Sequence, residues 1–158
     1  MQYKGTLLVI SDMEESKKFY QDLLGMHVVG DFGANVQLEN GLFLQTKDTW
    51  EKIITYKDIK LNHNAGELYF ETQDMDAFLT LLELFQVEFV NEPKEHNWGQ
   101  IAVRFYDPDH HIIEVAEDLV MVMKRFADSG MSVEEVAVRM DVPVSYIEDH
   151  FGKMKVCM

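Results

Sequence analysis

One cysteine, Cys157, stands in a chain of 158 residues. It excludes an intrachain disulfide and a cysteine metal cluster, and it makes a reducing cytoplasm the expected compartment. No apolar run approaches the roughly 18 residues that a membrane span needs. The first residues, MQYKGTLLVISD, have neither a basic lead nor a small-residue cleavage site, so secretion is not expected. Basic residues are scarce, 14 against 28 acidic ones, a formal charge of −14. A field of that sign repels nucleic acids and anionic membranes and attracts cations; taken alone it also serves simple solubility. Glycine-rich phosphate loops, a Ser/His/Asp order and a zinc helix are missing too. At 47% hydrophobic residues, the chain can build the core of one compact domain or two small ones.

GTLLVIS reads as a strand. Ser11 and Asp12 can cap the helix that follows, MEESKKFYQDLLGM, where Phe19, Tyr20, Leu23 and Leu24 share a face and Gly25 marks the end. HVVGDF, ANVQLE and LFLQTK are three further strands, the last two joined at Asn40-Gly41, a strong hairpin signal. Then the order repeats. GELYFETQ is a strand, Asp74 a cap, MDAFLTLLELF a helix, VEFVNE a strand, and QIAVRFY and IIEVAE form a hairpin around Asp107-Pro108-Asp109. Asp12-Met13 recurs as Asp74-Met75, and the Asn40-Gly41 turn as Asp109-His110. Repetition of caps and turns is a stronger signal than either half alone. A short helix and a loop are expected between the halves.

A βαβββ unit curls its strands around a half-open cup, and two units side by side would enclose a hollow. Superposing the halves sets Gly5 on Glu67 and Gln45 on Glu114. Gln45 follows Gly41 at the spacing at which Glu114 follows His110. An acid therefore stands where a core-facing strand should be apolar, and it has a polar twin in the other half. Two facing carboxylates repel, which raises one pKa. That acid can then serve as a general base or hydrogen-bond a ligand, and the pair can also hold an ammonium or guanidinium group. The bland alternative pairs Glu114 with Arg104 or a lysine and leaves Glu67 at a solvated strand end.

The repeated βαβββ pattern, the helix SDMEESKKFYQDLLGM and the ending WGQIAVRFYDPDHHIIEV resemble the vicinal oxygen chelate superfamily. That group includes glyoxalases, bleomycin-resistance proteins, extradiol dioxygenases and fosfomycin-resistance enzymes. The resemblance implies an α+β fold, two βαβββ modules (about 3–48 and 65–117) forming a curved mixed sheet around a cleft. It also implies a homodimer, and a ligand set at Gly5, Gln45, Glu67 and Glu114. Gly5 has no donor, and Glu67 stands where histidine is usual. The metal candidates are thus Glu67, Glu114 and Gln45, an oxygen-rich set suited to Mg²⁺, Ca²⁺ or Mn²⁺ more than to Zn²⁺, and Mn, Mg, Zn and Ni are the cofactor candidates. Glu114 and Glu67 are also the catalytic candidates.

Gln45, Trp98, Arg104, Tyr106 and Tyr69 are the ligand-binding candidates. Trp98-Gly99 precedes a strand, where an aromatic at the rim can stack on a ligand. Arg104 and Tyr106 alternate with Phe105 and so face the opposite side. His63, His96, His110 and His111 fall in loops or turns and read as surface residues, His110 in a position that calls for positive φ.

Residues 1–117 are read as the two-module domain and 118–158 as a helical extension. There LVMVMKRFADSG and SVEEVAVRM are helices, Ser132 and Glu135 form a capping box, and VSYIEDHF follows the break at Pro143. The pair resembles a helix-turn-helix, but its second helix offers Ser145, Tyr146, Glu148 and Asp149, which repel phosphate. Val133, Val136, Met140 and Ile147 form a stripe that needs a partner. The expected function is binding of a small, cationic molecule with a degraded metal site. The rivals are a metal-dependent lyase, isomerase or dioxygenase, and a ligand sensor acting through its C-terminal helices. Neither nucleic acid nor membrane is an expected partner.

Overall fold

The computed structural model describes the backbone of residues 1–154 and the side chains of residues 1–150; Cys157 lies outside the described residues. The first module is β1 (Thr6–Ile10), α1 (Met13–Leu24), β2 (Val28–Asp31), β3 (Asn35–Leu38) and β4 (Leu42–Thr46). The Asp12 carboxylate accepts the Glu15 N–H at 3.0 Å, and Gly25 ends the helix at φ 66°, as the cap signals require. Between β3 and β4 both Asn40 and Gly41 take positive φ, 58° and 78°. The strands lie in the order β1-β4-β3-β2, with β1 parallel to β4 and the other pairs antiparallel. A short helix α2 (Lys47–Ile53) follows.

The second module repeats the plan: β5 (Glu67–Thr72), α3 (Met75–Phe85), β6 (Phe89–Glu95), β7 (Ile101–Tyr106) and β8 (Ile112–Glu117). Its order, β5-β8-β7-β6, matches the first sheet strand for strand. Asp74 caps α3 through the Ala77 N–H at 2.9 Å. Pro93 lies in β6, at the sheet edge where a missing N–H costs no ladder bond. The fold is α+β, two mixed four-stranded sheets from two similar modules. Three helices follow, α4 (Leu119–Asp128), α5 (Val133–Met140) and α6 (Val144–Met154). Among the described residues no helix is long and apolar enough to cross a membrane.

The chain falls into two compact units. Unit one holds Met1–Leu68, Leu81–Glu88 and Tyr106–Ile113, and unit two the remainder. In unit one, Ile10, Tyr20, Val36, Leu38 and Leu44 have no exposed surface. The Asp107–His111 turn is tied into this core by polar bonds. Asp107 accepts from the Tyr20 hydroxyl at 2.7 Å and from the N–H groups of Asp109 and His111 at 2.9 and 2.8 Å. Asp109 accepts the Ser11 N–H with both oxygens at 3.0 Å, and His111 Nε2 bonds the Val9 carbonyl at 2.9 Å. His111 is thus buried, against the expectation of a surface histidine: the turn folds under the chain because its own acids collect the backbone donors. His110 takes φ 62°, as its position demanded.

In unit two, Val103, Phe105 and Ala116 are buried, and Phe105 packs on Phe78 with ring centres 6.1 Å apart. The helices form their own core. The stripe of Val133, Val136, Met140 and Ile147 meets Val122, Met123 and Phe126 of α4. Fully burying such side chains contributes about 1.5–3 kcal/mol each, so the stripe finds its partner within the chain. The Ser132–Glu135 capping box is present, with bonds of 2.7 and 3.2 Å.

Candidate functional site

Tyr69 of β5, Glu114 of β8, Arg104 of β7 and Trp98 of the β6–β7 loop come together in unit two. β8 is the inner neighbour of both β5 and β7, so Glu114 enters a strand that is buried throughout. It carries an ion pair with Arg104 there. A buried charge needs such a partner, since desolvating it alone is costly. The Arg104 side chain is 27% exposed and that of Glu114 8%. An arriving ligand therefore meets the guanidinium first.

The rest of the ring is hydrogen-bonded. The buried Gln100 accepts the Trp98 indole N–H at 2.9 Å. Its amide donates to the Tyr69 hydroxyl at 3.3 Å and to the Glu117 carbonyl at 2.8 Å. Tyr69 in turn donates to Glu71 at 2.8 Å. Burial raises the Tyr69 pKa, the Glu71 bond and the Glu114 charge adding to it against the Gln100 donor; the phenol stays a neutral donor. His96 stacks on Trp98, centroids 4.4 Å apart and planes within 4°. Burial, then the Arg104 and Lys94 charges, hold its imidazole below the ordinary value, neutral at pH 7. The result is a flat aromatic pair beside a guanidinium, a phenol and an amide, with Trp98 40% and Tyr69 53% exposed.

Sequence reasoning named Tyr69, Trp98, Arg104 and Glu114 but missed Gln100 and His96. Gln100 had one signal, a polar residue opening an apolar strand just after Trp98-Gly99. His96 had none, because stacking on a residue two places on depends on the loop's path.

The other candidates lie in unit one. Tyr106 is half-buried and packs against His110, ring centres 5.0 Å apart and planes tilted by 53°. Gln45 is buried: its carbonyl accepts Asn35 Nδ2 at 2.9 Å, and its amide donates to the Thr49 hydroxyl in a short contact. Glu67 lines a cavity of about 250 Å³ with His63, His111, Leu8, Leu68 and Ile112. Gly5 has φ 150°, and a Cβ there would lie 1.7 Å from the Gly41 carbonyl oxygen. No side chain fits at that position, which explains why a donor is missing from it.

These donors do not fit a divalent ion. Position 5 is closed by backbone, both ends of the Gln45 amide are occupied, and Glu114 is paired with Arg104. Among the described residues no three His, Cys, Asp or Glu side chains converge as a ligand set. Protein incubated with Mn²⁺, Zn²⁺ or Ni²⁺ and desalted is expected to retain well under one equivalent by elemental analysis, with Glu114→Ala no different. Stoichiometric uptake that Glu114→Ala abolishes would restore the metal reading.

Residues 3–120 match the family described as Glyoxalase-like domain. A Bacillus subtilis (strain 168) protein, the uncharacterized YraH, is 27% identical over 120 residues, 68% of this chain and 91% of its own. A crystal structure of a protein of unknown function from Agrobacterium tumefaciens str. C58 superposes with a TM-score of 0.67 at 33% identity, covering 75% of this chain and 94% of that one. Lactoylglutathione lyase from Agrobacterium tumefaciens shares the fold, with a TM-score of 0.58 at 22% identity over 75% of this chain and 95% of its own.

Proposed function

The chain belongs to the glyoxalase-like domain family, and on that premise we propose that it binds a small planar molecule bearing an oxyanion at the Tyr69–Trp98–Arg104–Glu114 face of unit two. The observation that carries the reading is the Arg104–Glu114 pair, its guanidinium the more exposed partner, with the Arg104 charge felt at His96 of the His96–Trp98 stack. A guanidinium fork matches a carboxylate or enolate in two parallel bonds. Trp98 supplies a face for a ring to stack on. Tyr69, 53% exposed, fixes orientation as a neutral hydrogen-bonding group, and the buried Gln100 holds Tyr69 and Trp98 in place. Glu114 keeps Arg104 aimed, and the charge pair limits the cationic ligands that net charge alone would favour. Binding is the function proposed; no step of chemistry is needed to account for the arrangement.

The test is a thermal-shift panel with two arms, aryl carboxylates and catechols in one, aromatic ammonium compounds in the other. A ligand at a hundred times its Kd stabilises by about 2.7 kcal/mol. At least one compound of the first arm is expected to raise Tm, and Arg104→Met to abolish the rise. A panel flat in both arms, or one answered only by the ammonium arm, overturns the reading.

A further inference from the structure

The C-terminal helices hold the loop that carries His96, Trp98 and Gln100, and they do so by its backbone. Arg125 of α4 donates through Nη2 to the Gly99 carbonyl at 2.6 Å and to Glu117 Oε2 at 2.9 Å, and through Nε to Glu117 Oε1 at 3.3 Å. Glu117 closes the circle: its carboxylate accepts the Ile101 N–H at 3.4 Å and its carbonyl the Gln100 amide at 2.8 Å. Arg139 of α5 takes the other side, bonding the Asn97 carbonyl in a short contact and Glu95 at 2.8 Å. Both guanidiniums lie over the Phe126 ring, 5.1 and 5.3 Å from its centre. That ring packs directly on Gly99, leaving no room for a Cβ. Two carbonyls of one short loop, at 97 and 99, thus end on arginines from two different helices.

We infer that Arg125 and Arg139 are positioning residues, and that α4 and α5 form a clamp that sets where Trp98 and Gln100 stand on the ligand-binding face. The clamp rests on the binding reading above for its purpose, though its geometry does not. The helix-turn-helix-like segment is then part of the site's framework, and whatever displaces α5 alters the ligand-binding face. The competing account is that the loop holds itself, through Gly99 N–H to the His96 carbonyl and His96 N–H to the Gln100 carbonyl, both at 2.8 Å, with the helices merely attached.

The two accounts differ in a readout that needs no ligand. In the full chain carrying Trp50→Phe, Trp98 is the sole tryptophan. Combining Arg125→Met with Arg139→Met is expected to raise acrylamide quenching of Trp98 about twofold and to speed exchange of the Gly99 amide at least about tenfold. Far-UV circular dichroism should stay unchanged, and Arg139→Lys should recover part of the protection. Arg139→Met alone, at a surface-facing side chain, gives the same trend if the double variant does not fold. Unchanged Trp98 quenching and Gly99 exchange in the folded variants, with exchange faster only within α4–α6, overturn the clamp. A loosened loop with a flat ligand panel keeps the clamp and removes the binding reading; the reverse pattern keeps binding and removes the clamp.

Discussion

Gly99→Ala is expected to lower stability by about 3 kcal/mol, from a left-handed backbone costing about 1–2 kcal/mol and overpacking costing about 1–3 kcal/mol. Gly99 sits at φ 89°, and its Cβ would lie 2.2 Å from Phe126 Cζ and 2.6 Å from Cε2. Phe126 cannot retreat, since it is the member of the α4 core on which both arginines rest. The loss is large beside a typical domain stability of about 5–15 kcal/mol. Urea unfolding should give a lower midpoint at unchanged slope. Gly66→Ala, where a Cβ meets nothing within 4 Å, should fall within about 0.5 kcal/mol of the parent.

Asp107→Ala is expected to cost about 3–5 kcal/mol, because it orphans three donors and each unsatisfied buried group costs about 1–3 kcal/mol. The donors are the Tyr20 hydroxyl and the N–H groups of Asp109 and His111, and Tyr20 has no exposed surface to offer water. Asp107→Asn keeps an oxygen for the two N–H groups and should cost far less. The same pair sets an alkaline limit. Burial, then the Asp107 charge, pushes the Tyr20 pKa well above its ordinary value. The folded chain therefore keeps this proton where the unfolded chain, with a tyrosine pKa of about 10, has lost it. Stability is full below that pH and falls above it by about 1.4 kcal/mol per unit for this group. Tyr20→Phe, measured by urea unfolding from pH 8 to 11, should flatten that fall.

Local signals carried the architecture. Asp12, Asp74 and Ser132 announced helix starts because a capping side chain bonds within its own turn. Asn40-Gly41 and His110 announced turns because positive φ restricts residue type. The duplicated plan followed from those repeats, and the two sheets share one strand order. What resisted reading was long-range. His111 looked like a surface residue, since nothing local says that Asp107 collects its N–H or that Val9 lies opposite its ring. The helical stripe of Val133 to Ile147 was visible, but not that α4 supplies its partner. In the site, Arg104 beside Glu114 was one of two partners, with a lysine, offered as the plain alternative to a facing acid pair, because structural ion pairs are common. Gln100 and the Arg125–Glu117 link escaped, because each joins positions whose distance apart only the folded loop fixes.

The most direct measurement of the central claim is a ¹H–¹⁵N titration of the full chain with the best compound of the carboxylate and catechol arm. The Trp98 indole N–H and the Arg104 side-chain N–H should shift together, along one saturating curve. Shifts confined to the residues around Glu67 and His63, with Trp98 and Arg104 stationary, would contradict it.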